Sequence, residues 1–463
     1  MVTERTRTLF AAVLWGRDYV DNFVNGSLPT LLAPGNLGGM SPDGGSKLLI
    51  VTTEEDAEHF RAAPAYAALR RHIATEFRYI EKPHGRNKYE IVSGHQCRVI
   101  HASKDFDALV FLYPDFIFAD GTICNVLGRL AEGYDAVVMP VPRAAEETIR
   151  PELEKHEKSG AIALEPRRFV EIAARNLHHS MASYFLDAKA FSAYPSTLLW
   201  RVADNALLFR CFHLHPIALR VQRNNPNYTT PFRITLDEEY LPRLFPCSDR
   251  IYFVEDSDEA AVCSLTESAF APYPIHPWLR PNTALIAQWA EGSASVLHRE
   301  FVRHSYRWHS GEVDSGTWMS AETGAADFVD RVLERLRIPD RVLQNEDPIA
   351  YKARLRRVRR FAHWRKPPSA SLSLMYDVSE RDLWRVLILG ILILQFWRLR
   401  RVPVFGLIPV AFERLLRACG YVPKGKRFGA LNEIAGANSA RAIIAELIRR
   451  KWQKMAGRLT KAE

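Results

Sequence analysis

Over its first 220 residues the chain alternates between two hydrophobic periods, and this alternation restricts the fold more than any other feature. Apolar runs at Leu9–Trp15, Lys47–Thr52, Ala108–Tyr113 and Ala136–Pro140 read as strands buried on both faces, with a later one near Phe212–Val221. Between them, Tyr19–Leu32, Glu55–Ile73 and Cys124–Glu132 carry helical spacing. Such a succession predicts an α/β layer, a mostly parallel sheet flanked by helices. In sheets of this kind ligands bind beyond the carboxyl ends of the strands. The residues at those ends are therefore the first candidates for function: Trp15-Gly16-Arg17, Thr52-Thr53 and the stretch after Leu112.

That stretch reads FLYPDFIFADG, residues 111–121. Proline is confined to the edges or ends of strands, so Pro114 stops the run and delivers Asp115 to its tip. Asp120-Gly121 reads as a turn. A hard divalent cation carrying a diphosphate takes one or two carboxylates plus substrate oxygens, and Asp115 can supply one of them.

From about residue 265 the pattern becomes mainly helical, through TALIAQWAEGSASVLHREFVRHSYRW and DFVDRVLERLRI to AYKARLRRVRRFAHW. The expected organisation is a catalytic domain over 1–264, a helical connector or acceptor region over 265–330, and a basic helical region over 331–463. Charge divides in the same way. Residues 331–463 hold 29 basic and 11 acidic side chains, net +18, whereas residues 1–330 hold 33 basic and 42 acidic, net −9. A basic segment on an acidic body prefers an anionic surface, membrane or nucleic acid. Hydrophobic residues at 47% and charged residues at 25% exclude a disordered chain. The six cysteines show no C-x-x-C spacing, which argues against a zinc ribbon or a disulfide framework and for reduced thiols in the cytosol. The apolar run after Arg5 and Arg7 lacks a small-residue cleavage site and is read as the first strand rather than a signal peptide.

Two glycine-rich segments fail as nucleotide loops. APGNLGGMSPDGG, 33–45, precedes a strand instead of a helix, and is expected to be a mobile loop. GYVPKGKR, 420–427, has Arg427 where a phosphate loop needs Ser or Thr, and reads as a basic turn.

With these elements in place the chain resembles nucleotide-sugar glycosyltransferases of the GT-A fold, over about residues 8–255. LFAAVLWGRDYVDNFVNGSLPTLLAPGN resembles their first strand and helix, LLIVTTEEDAEHF their second strand, and EGYDAVVMPVPR the strand after their acidic motif. The phrases LLAPGNL and PD…DG are similar to those of bacterial GT-A-like transferases. In that family a hydrophobic strand ends in Asp-x-Asp, which holds a metal and the sugar-nucleotide diphosphate. Here the slot reads Tyr113-Pro114-Asp115, so only the second acid is present and dependence on Mg or Mn stays open. The resemblance implies that Trp15, Gly16, Arg17, Thr52, Thr53 and Asp115 bind the nucleotide sugar. It implies that a later histidine, His215 or alternatively His213, completes the metal site with Asp115. It also implies that a carboxylate of TLDEEYL, Asp237 or Glu238, deprotonates the acceptor hydroxyl. Read structurally, the same acids open a helix, with Asp237 as its cap.

Other polar groups have mainly structural readings. His178-His179 marks a helix end, and Trp200-Arg201 with Asp204-Asn205 is placed on a helix surface. Arg299, Arg303, His304, Arg307 and His309 either bind a diphosphate or lipid phosphate or form a basic helix packed on the acidic body.

The function expected is transfer of sugar from a nucleotide-sugar donor to a lipid-linked or glycan acceptor, as in polysaccharide biosynthesis at the cytoplasmic face of the inner membrane. A nucleotidyltransferase is an alternative, but GRDYVDNF after the first strand lacks its glycine-rich loop. A non-catalytic RNA-binding scaffold gains from RLRRVRRFAHWRK yet leaves Asp115 unexplained, so nucleic acid is not the expected partner. The longest apolar run, Val386–Trp397, is too short to span a bilayer, which takes about 20 residues. Flanked by Trp384, Trp397 and arginines, it suits either the headgroup level or a helical core. Each basic residue near an anionic leaflet contributes about 1 kcal/mol. Flotation with anionic liposomes should therefore weaken with salt without vanishing, and drop sharply when Leu389, Ile391 and Leu392 become serine in a chain that still folds. Absence of flotation at every salt concentration would assign the run to a core.

Overall fold

The computed structural model describes residues 6–81, 88–232, 234–245, 247–270, 275–276, 280–337 and 340. The expected basic region 331–463, with the Val386–Trp397 run and the 420–427 turn, lies almost wholly outside them. The chain divides into two compact units. The larger comprises residues 1–186, 196–270 and 282–355. The smaller comprises 187–195, 271–281 and 356–463, and contains an antiparallel pair, Phe191–Ser192 with Ile275–His276.

The larger unit is built on a seven-stranded sheet. Its strands are β1 (Thr8–Val13), β2 (Lys47–Thr52), β3 (Ala74–Tyr79), β4 (Ala108–Leu112), β5 (Ala136–Met139), β6 (His215–Arg220) and β7 (Ile251–Phe253). Their order is β7-β5-β6-β4-β1-β2-β3. All neighbours run parallel except β6, which is antiparallel to both β4 and β5. Every residue of β4 and β5 is buried, as expected of strands covered on both faces. This is the mostly parallel, helix-flanked sheet that a GT-A-like fold requires.

The predicted strands fall within a residue or three of their observed limits, and β2 coincides with its predicted range. The sequence reading missed β3, an edge strand with no fully buried side chain, the short β7, and the helices Lys88–Ala102, Glu146–Glu154 and Pro166–Arg175. The predicted helix Glu55–Ile73 is split into Glu54–Ala62 and Pro64–Leu69, because Pro64 cannot continue the hydrogen-bond ladder.

Three expectations need correction. Trp200-Arg201 lies on a strand, Thr197–Ala203, paired antiparallel with Ala206–Cys211, and Asp204-Asn205 is the two-residue turn between them. The basic stretch after Phe301 is not helical throughout: Tyr306–His309 is a strand beside Ala206–Cys211, so this unit continues past residue 264. The helix Ser315–Leu333 packs on the same hairpin, burying Trp318 and Ala325 against Ala206 and Leu208.

The third correction concerns the 33–45 loop, whose first half is seated. Asn36, 2% exposed, donates to the carbonyls of Thr30 and Ala119 (both 3.0 Å) and accepts from the Ile123 N–H (2.9 Å). The Gly35 N–H donates to the Asp120 carboxylate at 2.6 Å. Gly121 adopts φ +89°, and a side chain at Gly35 would stand 2.5 Å from its nitrogen. Asp120-Gly121 is thus the predicted turn, and it clamps the loop to the segment leaving Asp115. Gly35→Ala should cost about 1–3 kcal/mol by forcing the two backbones apart, and Asn36→Ala about 2–4 kcal/mol by stranding three buried backbone groups. Urea unfolding within 0.5 kcal/mol of wild type for both would show that the clamp bears no load.

Candidate active site

The parallel strands end on one edge, and the antiparallel β6 begins there. After Leu112 the chain turns through Pro114-Asp115, closed by the Phe116 N–H on the Tyr113 carbonyl (3.2 Å) and by the Ser27 hydroxyl on the Pro114 carbonyl (2.9 Å). It continues as Phe116–Phe118 into a small sheet whose central strand is Val262–Thr266 and whose far strand is Arg143–Ala145. This sheet fixes Asp115: the Leu265 N–H donates to its carbonyl (2.7 Å) and the Ser264 hydroxyl to its carboxylate (2.7 Å).

His215 opens β6 opposite Met139, the last residue of β5. Its ring meets Phe116 edge-on at 5.5 Å and lies 6.1 Å from Tyr113. Burial pushes the His215 imidazole below its ordinary value; Asp237 and Asp115 oppose this, while Arg143 and His213 reinforce it. His215 is therefore neutral at pH 7, the form that offers a lone pair to a metal or a proton. Asp237 lies in a wide helical turn, Leu236–Tyr240. Burial alone would raise its carboxyl; His215, His213 and the Thr235 hydroxyl overcome this and hold it below the usual range. Burial, followed by Asp237, raises the Tyr113 phenol, although Gln96 pulls the other way, so the hydroxyl stays protonated. Asp115, His215, His213, Asp237 and Tyr113 thus converge at one edge.

Behind Asp237, His298 donates from Nε2 to its backbone carbonyl (2.9 Å), while His298 Nδ1 accepts from the Ser295 N–H (3.1 Å). The second bond fixes the tautomer required by the first. The His298 ring also lies 4.5 Å from that of His213. Asp237 is not the helix cap: Thr235 takes that role, its hydroxyl accepting from the Glu238 N–H. Glu238 is buried in the same turn, and Glu239 accepts from the Ile234 N–H (3.0 Å).

At the ends of β1 and β2 the candidates form a second group. Trp15 meets His95 of the Lys88–Ala102 helix edge-on at 6.2 Å. Gly16, at φ +89°, donates its N–H to Asp56 (2.8 Å), and the Thr53 hydroxyl donates to the same carboxylate oxygen (2.7 Å). Thr53 also caps the next helix. Thr52 is fully buried, and its hydroxyl lacks a hydrogen-bond partner among the described residues. Arg17 is exposed and pairs with Asp21 at 3.3 Å.

The basic set near residue 300 forms ion pairs instead of an open anion site. Arg299 pairs with Asp340 and Arg303 with Asp330 (both 2.6 Å), His304 with Glu255 (3.5 Å), Arg307 with Glu322 through two bonds (2.7 and 2.9 Å), and His309 with Asp256 (3.0 Å). The stretch is thus packed against acids, four of them within residues 1–330, but Arg307 and His309 lie on a strand and not on the basic helix that the sequence suggested.

Two places could hold a metal. Among the described residues one trio, Asp256, Asp258 and His309, has ligand atoms all within 4.8 Å. It is already balanced by cations: the hydrogen bond that His309 Nε2–H donates to Asp256 raises the His309 imidazole, and Arg167 grips Asp258 through both carboxylate oxygens. An ion there would displace both pairs. Asp115 and His215 act on one another at the strand edge, and a carboxylate with a neutral imidazole would suit an ion that takes its other ligands from diphosphate and water.

Arg143 was not anticipated as a site residue. Its only sequence signal is a cation just past β5, among the prolines of PVPR. The Gln96 contact with Tyr113 and the His298 support of Asp237 had no signal, since both cross long sequence separations.

Comparison with known proteins adds little beyond the fold. No protein-family model matches the chain, and no curated protein matches its sequence. Solved structures similar to it include TarS of S. aureus (11% identity, TM-score 0.34, 76% of this chain and 55% of that one). GalNAc-T7, solved with UDP, GalNAc and Mn2+, has 9% identity and TM-score 0.31, over 57% and 43% of the two chains. A Bacillus anthracis protein assigned as a glucose-1-phosphate thymidylyltransferase has 14% identity and TM-score 0.20, over 31% and 57%. The chain spans about half the length of these proteins. At such similarity the GT-A-like assignment of the fold rests on this chain's own sheet order and on the acid at the end of β4.

The lowered imidazoles set a pH response. His178 accepts at Nδ1 from the Ser180 N–H and donates from Nε2 to the Glu267 carbonyl (3.1 Å), and burial pushes it down to about 4. A folded value below the unfolded one means that the unfolded chain binds the proton first. The His178 contribution to stability should be flat above about pH 6.5 and fall as pH drops towards 4, by on the order of 2–3 kcal/mol. His215 acts with the same sign. Urea unfolding at pH 7, 5 and 4 should show a shallower pH slope for His178→Asn than for wild type; equal slopes would exclude the assignment.

Proposed function

We propose that this protein is a nucleotide-sugar-dependent glycosyltransferase that delivers its sugar to a lipid-linked or glycan acceptor at the cytoplasmic membrane face. One observation carries the reading: the convergence of Asp115, His215 and Asp237 where the parallel strands end and β6 begins. It lies beside the point where successive strands switch from one side of β1 to the other, which is where α/β sheets bind ligands. In this reading Trp15 and Thr52 lie towards the base, and Asp115 towards the diphosphate. A divalent ion bound by Asp115 and His215 would neutralise phosphate charge. Asp237, ionised at neutral pH and backed by the Nε2–H of His298, is placed to take the proton of an acceptor hydroxyl. Tyr113 stays protonated and serves as a hydrogen-bond donor.

The nucleotidyltransferase alternative is less well supported. The turn after β1 would have to present free N–H groups to a triphosphate, whereas the Gly16 N–H is committed to Asp56. Membrane delivery rests on the basic C-terminal composition.

A panel of nucleotide sugars, followed by nucleoside diphosphate release, tests the proposal. With the donor so found, Asp115→Asn should lower kcat by about 10²–10⁴ and leave the melting temperature near wild type, since Asn can still accept from Ser264. Undiminished turnover in that variant, or no release from any donor, would refute the reading.

A further inference from the structure

Arg143 stands at the same edge as Asp115 and has no acid of its own. The small sheet places it directly across from Ser264, whose hydroxyl holds the Asp115 carboxylate. Its guanidinium donates one hydrogen bond, to the Thr266 hydroxyl at 3.3 Å. Among the described residues it makes no ion pair, whereas Arg129, Arg150 and Arg167 nearby in the chain are all engaged by carboxylates. The side chain is half-buried, its root fixed by the strand, and most of its N–H donors are uncommitted. Its other recorded contact is with the face of the Phe270 ring, 5.9 Å away, so a cation built onto a sheet is left without an anionic partner among the described residues.

The charges of the site indicate which anion. Asp115 and Asp237 are the acidic side chains of this edge. Of the groups acting on His215, namely Asp237, Arg143, Asp115 and His213, only Arg143 is permanently positive. A pyrophosphate diester brings two negative charges into this setting and gains another as the sugar departs. The fork geometry of arginine matches two phosphate oxygens at once.

We propose that Arg143 binds the diphosphate of a nucleoside diphosphate and its sugar ester, and stabilises the terminal phosphate as it leaves. The proposal rests on the reading of the Asp115 edge as a nucleotide-sugar site. In the step it serves, the bond between the anomeric carbon and the terminal phosphate oxygen breaks, and its electron pair stays on that oxygen. The acceptor oxygen bonds to the anomeric carbon, and its proton passes to the Asp237 carboxylate. The charge that appears on the phosphate oxygen is what Arg143 meets.

The test is equilibrium binding of UDP, GDP, CDP, ADP and dTDP, and of the matching monophosphates, to the full chain, without metal and with Mn2+. Wild type should prefer one diphosphate over its monophosphate. Arg143→Gln should weaken diphosphate binding by about 10–100-fold and change monophosphate binding much less. Arg143→Lys should lie between, because it keeps the charge and loses the fork. Asp115→Asn should lose the Mn2+ enhancement yet keep metal-free binding. If Arg143→Gln binds diphosphate as tightly as wild type, the role of Arg143 is overturned and the Asp115 reading survives. Wild type binding no nucleotide under either condition overturns both. If Arg143→Gln melts far below wild type, Arg143→Lys decides: an unchanged ratio of diphosphate to monophosphate affinity rejects the proposal, and a reduced ratio upholds it.

Discussion

The direction of one strand organises the candidate site. β6 runs against both of its neighbours, so its first residue lies at the edge where β4 and β5 finish. Had it run parallel, His215 would sit at the opposite end of the sheet from Asp115. The ladder bonds on both sides of β6, whose four middle residues are all buried, leave little freedom to slide. The chemistry at the edge therefore depends on backbone hydrogen bonding far from any functional side chain.

Around that edge, polar side chains are held by fixed partners. Ser264 and the Leu265 N–H hold Asp115; Thr235 and His298 hold the Asp237 turn; Asp56 gathers Gly16 and Thr53. Each bond contributes only about 1 kcal/mol to stability, but together they remove rotational freedom that a substrate would otherwise have to quench. Arg143 differs from these residues in that, among the described residues, its guanidinium makes a single hydrogen bond.

Charge explains why the other polar clusters do not compete with this site. The basic residues between 299 and 309 are neutralised by Glu255, Asp256, Glu322, Asp330 and Asp340. The Asp256–Asp258–His309 trio is likewise closed by Arg167 and by its own imidazolium. These pairs join the hairpin sheet, the helix Ser315–Leu333 and the segment after β7. They are structural cross-links, each worth little where exposed and more where shielded.

The sequence by itself determined the main strands, since runs such as ALVFL have one stable environment, a sheet covered on both faces. It determined where β4 stops, because Pro114 cannot pair, and hence that Asp115 stands at a tip. It also determined the Asp120-Gly121 turn, which needs a positive φ that glycine permits. It misplaced Trp200-Arg201, because a short amphipathic segment fits two periods equally well and the pairing partner decides between them. Only the tertiary structure decided the direction of β6, the meeting of His215 with Asp237, the support of Asp237 by His298, and the lack of an ion pair at Arg143 among the described residues. Those relations join residues 20 to more than 100 positions apart, and local propensity carries no information about which distant chain segment will lie across a strand or beside a charge.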